Sequence, residues 1–204
     1  DKTIIYNNPE SEKYHDMIYM NAVNSMGIYS QDNKAELLVN ADEKFPRLFE
    51  DIRNAQKTIN IIYFIIMAKD KIGREFISLL AQKAREGVQV RLIYDALGYI
   101  KTKYEDFREI IDAGGKVYRF LPSMTQSLVC MNYRMHRKIA VIDSKIAYTG
   151  GINVGDEYFG TDKRKSPWRD TSIRLTGTSV LAMQLRFLTD WAFLDRQYAL
   201  KKGY

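Results

Sequence analysis

The feature that most constrains the fold is an almost uninterrupted apolar run over residues 59–67, rich in β-branched and aromatic side chains. Such a run is typical of a strand that is covered on both faces by other elements. It is too short to cross a bilayer, which takes about 20 residues. We therefore predict a buried, central strand rather than a membrane span.

Strand and helix patterns alternate around this run. Alternation or helical spacing of apolar residues predicts strands at 37–39, 88–94 and 117–120 and helices at 45–52, 72–84 and 104–111. Closely spaced strands follow at about 133–142, 145–149 and 171–175, before a closing helix at 180–193. This order indicates an α/β fold with layers of helices on a sheet.

Domain organisation follows from the same pattern. Residues 1–35 carry no sustained period, so we expect a peripheral lead-in with a short helix near residues 15–22, followed by one domain over 36–204. The chain begins at Asp1 without a methionine or a signal-peptide pattern, so we expect it to belong to a longer protein. Its single cysteine, Cys130, excludes an intramolecular disulfide. The net charge of +6 favours anionic partners, either phospholipid head groups or nucleic acid.

The chemically informative residues are His136 and Lys138. Side chains two positions apart on an extended strand point to the same face, so an imidazole and an ammonium would lie side by side. A neutral imidazole, with an ordinary pKa of about 6.5, is a competent nucleophile, and the cation offsets charge on phosphoryl oxygens. An isolated His-x-Lys pattern more often belongs to a solvent-exposed strand face, but the residues that follow favour a phosphodiester site.

Two aspartates are candidates for holding the second ring nitrogen of His136, a role that a nucleophilic histidine requires. Asp143 lies an odd number of positions from His136 and points to the opposite face of a regular strand, so we assign it to the hairpin turn. We prefer Asp170, at the start of a later strand, as the orienting carboxylate. Asn153 lies on a loop after Gly150 and Gly151, where backbone and carboxamide donors suit phosphate oxygens.

The spacing His-x-Lys-x-x-x-x-Asp over 136–143, followed by Gly-Gly-x-Asn over 150–153, resembles the motif of the phospholipase D superfamily. Residues 132–139, 150–158, 168–171 and 190–191 look more narrowly like bacterial cardiolipin synthases. The resemblance extends from about Leu37 to Trp191. It implies a phospholipase D-like sandwich with a mixed central β-sheet flanked by helices.

The resemblance also implies roles for individual residues. His136 matches the nucleophile that forms a phosphohistidine, Lys138 and Asn153 match phosphate ligands, and Asp170 matches the orienting carboxylate. We add the backbone of Gly151 to the substrate-binding residues, and we assign Gly150 and Asp143 a structural part in the motif. The family chemistry needs no metal and no cofactor.

The family's active site uses two such motifs, whereas His15 has no lysine two positions on. We therefore expect half of a two-motif enzyme, completed by a second domain of the same polypeptide or by a second copy, and inactive alone. Ile62 and the residue after Gly98 also depart from the family pattern, which leaves details of substrate contact open.

The resemblance predicts phosphatidyl transfer between two phosphatidylglycerol molecules, giving cardiolipin and glycerol. The expected partners are anionic phospholipid and a membrane surface, and the expected location is the bacterial cell membrane, with this segment soluble on the cytoplasmic face. Nucleic acid is not an expected partner. The alternatives are a phospholipase D or nuclease that transfers to water, and a half-domain that only binds lipid.

Overall fold

The computed structural model describes residues 4–24, 29–121, 134–160 and 168–201. Within these ranges the strands are β1 (Lys34–Val39), β2 (Thr58–Tyr63), β3 (Gln89–Asp95), β4 (Lys116–Phe120), β5 (Ile139–Ile142), β6 (Ile146–Gly150) and β7 (Thr171–Thr176). The helices are α1 (His15–Asn24), α2 (Asn40–Arg53), α3 (Lys71–Arg85), α4 (Arg108–Asp112) and α5 (Ser179–Lys201). Short 3-10 turns occupy Pro9–Tyr14, Tyr104–Phe107 and Asp156–Phe159.

The strands that the structure describes form one mixed sheet in the order β1-β7-β6-β5-β2-β3-β4. β2, β3 and β4 run parallel, because each connection between them passes through a helix that returns the chain to the same end. The other pairs are antiparallel, with β5 and β6 joined by a tight turn. The predicted α/β class and mixed sheet are confirmed.

Two apolar layers cover the sheet because side chains alternate along its strands. Ile61 and Tyr63 of β2 point into the larger layer, beneath α2, α3 and α4. Ile62 points to the opposite face, where it joins Phe187 and Trp191 of α5. The prediction of a strand buried on both faces is confirmed, since every residue from Ile59 to Tyr63 is buried.

Several boundaries differ from the expected ones. β2 ends at Tyr63 rather than near Met67, because its pairing with β3 ends there and Ile66 instead forms a bridge with Val154. β5 begins at Ile139, and Tyr133, the expected start, lies outside the described residues. The expected helix at 104–111 is a 3-10 turn followed by the short α4.

Near the amino terminus, the 3-10 turn Pro9–Tyr14 buries none of its residues. The short helix expected there is present as α1, and it buries none of its residues. No helix in the described ranges combines the length and apolar character that a bilayer crossing demands.

Candidate active site

The predicted site residues come together at one end of the sheet. Because β5 runs antiparallel to β2, the amino end of β5 lies beside the carboxyl end of β2, where Ile62 pairs with Ile139. The carboxyl end of β6 and the amino end of β7 reach the same place, where Gly150 pairs with Ser172. Segments far apart in sequence therefore meet at this end.

His136 and Lys138 lie side by side just before β5. The Lys138 Nζ atom is 2.9 Å from Nε2 and 3.1 Å from Nδ1 of the His136 ring. It also donates a 2.9 Å hydrogen bond to the backbone carbonyl of His136. His136 is exposed and Lys138 is buried, so the ring faces solvent while the ammonium supports it from below.

The two side chains share a face although β5 begins only at Ile139. The alternation of the strand continues backwards, because Met135 packs with Ile139 and Val141 in the layer under α5. Arg137 points the same way and pairs with Asp190 of α5, with 3.5 Å between NH1 and Oδ2. The face prediction for His136 and Lys138 therefore holds, but on an extended segment outside the strand.

Burial and charge shift both groups toward their neutral forms. Partial burial and the neighbouring Lys138 lower the pKa of the His136 imidazole, against the opposing charge of Asp95. Burial lowers the pKa of Lys138 to about 8, against the opposing charge of Asp170. At neutral pH, a neutral imidazole therefore lies beside an ammonium that is largely charged, and attack on a phosphodiester would use these two groups.

Asp170 lies beside Gly151, and among the described residues its carboxylate forms no hydrogen bond with His136. A Cβ atom added to Gly151 would lie 2.8 Å from Cγ of Asp170, so the carboxylate occupies the space that only glycine leaves. Asn40, at a left-handed φ of 59°, donates its backbone N–H to the Asp170 carbonyl and accepts from the Asp170 N–H. The Asp170 carboxylate raises the pKa of Lys138 and that of Lys44. Its role in orienting His136 stays a prediction.

Asn153 connects two loops at this end of the sheet. Its Oδ1 accepts a 3.1 Å hydrogen bond from the Ile65 N–H, and its Nδ2 donates to the Tyr158 hydroxyl over 2.9 Å. Binding a phosphate would use the second hydrogen of Nδ2, and this role stays a prediction. Val154 continues the connection through backbone hydrogen bonds with Ile65 and Met67.

The remaining motif residues shape the backbone. Asp143 lies in the turn between β5 and β6 at a φ of 53°, and its carboxylate accepts hydrogen bonds from the N–H groups of Gln56, Lys57 and Thr58. Burial raises the pKa of Asp143, but these donors outweigh it and the net pKa is lowered. Gly150 has a φ of 154°, and a Cβ there would lie 2.7 Å from the Thr171 carbonyl oxygen.

A lysine that the motif does not contain lies beneath the site. Lys44 of α2 is buried, and its Nζ donates a 2.6 Å hydrogen bond to the carbonyl oxygen of Ile152, in the loop between Gly151 and Asn153. The ammonium also lies 4.9 Å from the centre of the Tyr63 ring. Burial lowers the pKa of Lys44 to about 7, with Asp170 raising it and Lys138 lowering it further.

The segment that carries His136 is anchored by a buried carboxylate. Asp95, at the carboxyl end of β3, forms an ion pair with Arg134 and accepts a 3.1 Å hydrogen bond from the Met135 N–H. Phe64 covers the other side, with its ring centre 4.9 Å from that of His136. These contacts fix the backbone on which the imidazole stands.

The family of this chain follows from its sequence profile. The profile described as cardiolipin synthase, PLD-like domain, matches residues 48–165, which is more than half of the chain. The chain belongs to the cardiolipin synthase phospholipase D-like domains. The match begins within α2 and includes His136, Lys138, Gly151 and Asn153.

Individual proteins agree with this family. A cardiolipin synthase of Listeria monocytogenes serotype 4a (strain HCC23) is 44% identical over 191 residues, which are 93% of this chain and 39% of the relative. The chain thus spans about two fifths of the length of such relatives. Among solved structures, NucT from Helicobacter pylori has a TM-score of 0.58 at 20% identity, covering 78% of this chain and 95% of its own. Nuc from Salmonella typhimurium, a phospholipase D family member, has a TM-score of 0.59 at 12% identity, covering 79% and 95% respectively. The predicted phospholipase D-like fold is confirmed.

Sequence reasoning missed three contributors to this cardiolipin synthase domain. Lys44 carried a signal, because it interrupts the apolar stripe of α2 between Ala41 and Leu48. Asp95 carried a weaker one, as a carboxylate at the end of a parallel strand. Phe64 carried none, since an aromatic residue within an apolar run is indistinguishable from core.

Proposed function

We propose that this domain supplies one half of the active site of a cardiolipin synthase, with His136 as the nucleophile. An imidazole nitrogen attacks the phosphorus of phosphatidylglycerol, forming an N–P bond and breaking the P–O bond to glycerol. The glycerol oxygen takes a proton from the histidine of a second motif. A hydroxyl of a second phosphatidylglycerol gives its proton back to that histidine and displaces His136, giving cardiolipin.

The observation that supports the proposal is the 2.9 Å contact between Lys138 and His136. The ring is exposed enough to meet a head group, while the ammonium supporting it is buried and offsets phosphoryl charge. Asn153 and the backbone of Gly151 flank the pair as phosphate ligands, and Asp170 completes the set of catalytic residues.

The test is to trap the intermediate on the full-length protein. Incubation with phosphatidylglycerol carrying labelled phosphorus should place acid-labile label on His136 and produce labelled cardiolipin. Both signals should vanish in His136→Ala, whereas His15→Ala, which changes the other histidine of the chain, should keep them. Full activity of His136→Ala would dismiss the assignment.

The second half of the site is expected from a second phospholipase D-like domain, in the same polypeptide or in a second copy. The length of the relatives supports this, since the 191 matched residues make up only 39% of the Listeria protein. We expect the 204-residue chain, as a verified monomer, to bind phospholipid without turning it over. Robust turnover by that monomer would contradict the half-site.

The proposed setting is the cytoplasmic face of a bacterial membrane, where phosphatidylglycerol is the anionic substrate. The alternative is transfer to water, by a phospholipase D or a nuclease, because the exposed face of His136 admits any accessible phosphodiester. Assays of phosphatidylglycerol and DNA side by side separate them. Cleavage of DNA without formation of cardiolipin would favour the nuclease.

A further inference from the structure

The loop of residues 96–103, which joins β3 to the turn Tyr104–Phe107, exposes an apolar side chain at the site end of the sheet. Ile100 at its tip is 81% exposed, the highest value of any large hydrophobic side chain in the described ranges. Lys101 and Lys103 follow it in the sequence and are exposed as well. A single exposed aliphatic side chain is ordinary on a protein surface, but this one is followed by two exposed lysines at the site end of the sheet.

The loop is held firmly against the site. Thr102 is buried and donates a 2.7 Å hydrogen bond to the Ile66 carbonyl, so the residues on either side of it must point outward. Gly98 packs on the backbone of Phe64, where an added Cβ would lie 2.7 Å from the carbonyl carbon. Because the Phe64 ring contacts His136, the position of the tip is fixed relative to the imidazole.

The charges around the tip are mostly positive. Glu105 and Asp106 follow the loop, but the Asp106 carboxylate accepts from the Lys103 N–H over 2.8 Å and lies 4.0 Å from Lys69 Nζ. The Lys101 and Lys103 ammonium groups have no ion pair recorded within the described ranges. An apolar residue that can enter the acyl boundary, next to lysines that can meet phosphates, has the composition of an interfacial anchor.

We infer that residues 99–103 dock this domain onto an anionic lipid surface, with Ile100 entering the interface and Lys101 and Lys103 contacting head groups. The inference rests on the proposed function, in that it assigns the surface by which the site reaches a lipid substrate. Single-stranded nucleic acid fits less well, because its bases stack on aromatic side chains, whereas the most exposed apolar side chain of this loop is the aliphatic Ile100. Docking here brings His136 to head-group level without a membrane-spanning element.

The experiment is sedimentation of the 204-residue chain with vesicles of phosphatidylglycerol and phosphatidylcholine, compared with phosphatidylcholine alone. Ile100→Ser should weaken binding about tenfold because the buried aliphatic group is lost. Lys101→Gln and Lys103→Gln should each weaken it about fivefold, and only on anionic vesicles. The matched controls are Leu181→Ser, an exposed leucine where α5 begins, and Lys116→Gln at the far end of β4, and both should bind normally.

A second measurement needs no substitution. Hydrogen exchange of the unmodified chain should slow over residues 99–103 when anionic vesicles are added. Unchanged exchange there, or unchanged binding by a folded Ile100→Ser variant, overturns the inference. So does a result in which the lysine variants lose affinity for DNA but keep their affinity for vesicles.

Failure of this inference is distinguishable from failure of the proposed function. Cardiolipin formation and label on His136, together with normal vesicle binding by the loop variants, would reject the docking surface alone. Loss of vesicle binding in the loop variants, with no label on His136 and no cardiolipin, would support the docking surface and reject the proposed chemistry.

Discussion

Lys44 donates a hydrogen bond to the backbone carbonyl of Ile152, a residue 108 positions further along the chain. The bond joins the first turns of α2 to the loop that carries Gly151 and Asn153. It also places a second cation, besides Lys138, in the field of Asp170. The motif loop is therefore supported from beneath by α2, although strands β2 to β6 separate the two in the sequence.

Lys44→Met should loosen the motif loop without leaving a cavity in the core. The Ile152 carbonyl loses its donor, which costs about 1–3 kcal/mol, while the cost of burying an ammonium is removed, so the free energy of unfolding should change little near pH 7. Activity should fall because Gly151 and Asn153 are less well positioned. Urea unfolding and steady-state kinetics of the full-length protein measure the two effects, with the exposed Lys57→Met as the control.

The same variant should alter the pH dependence of stability. The pKa of Lys44 is about 7 in the folded state and about 10.4 when unfolded, so the unfolded state binds more protons between these values and stability rises with pH there. Lys44→Met lacks this contribution, so its free energy of unfolding should rise less steeply between pH 7 and 10. Identical slopes in both proteins would show that Lys44 is not buried as a titrating group.

The rate should have a bell-shaped dependence on pH. His136 must be neutral, and its lowered pKa places the acid limb below 6.5. Lys138 must be charged, and its pKa places an alkaline limb near 8. Lys138→Arg should move the alkaline limb upward, since a guanidinium stays charged, whereas Lys57→Arg should not. An unmoved limb in Lys138→Arg would assign it to another group.

Gly151→Ala should displace the carboxylate of Asp170, because the new Cβ falls within contact distance of it. Misplacement of the site by about 1 Å costs about 10²-fold in rate. Since Asp170 raises the pKa of Lys138, its displacement should also move the alkaline limb downward. Asp170→Asn should reproduce the downward movement without the clash. A limb that moves in neither variant would separate Asp170 from Lys138.

Asp143→Asn should destabilise the sheet while leaving the chemical groups in place. A carboxamide offers one oxygen where the carboxylate accepts three backbone N–H groups, so we expect a loss of about 1–3 kcal/mol at pH 7. The lowered pKa means that this stabilisation is complete above about pH 4 and disappears as pH falls through the folded value. Urea unfolding at pH 7 and pH 3 measures both, with the exposed Asp112→Asn as the control.

Much of the fold was predictable from sequence because apolar period and burial coincide in this chain. The run at 59–67 identified β2, and the helical stripes identified α2 and α3, since each buries a single face or is buried throughout. The predicted ends of the strands were wrong where pairing with another segment decides them. Nothing local indicates that Ile66 leaves the sheet to bridge Val154.

The sequence predicted only the part of the site that lies within one continuous segment. The two-residue spacing of His136 and Lys138 held because the chain stays extended before β5. The contacts of Asp170, Lys44 and Asp95 depend on the strand order, which a single sequence does not reveal. Asp170 could be assigned to the same end of the sheet, but not to the lysines on which it acts.

The pairing of β1 with β7 has a consequence for assembly. β1 joins the sheet only by pairing with β7, which lies far from it in the sequence. Asn40 and Asp170 lie directly beyond the last pair of these two strands. A nascent polypeptide therefore cannot place Asp170 beside Gly151 until nearly all of this domain has been synthesised. The residues proposed to form this half of the site are thus brought together late in synthesis, when β7 reaches its place between β6 and β1.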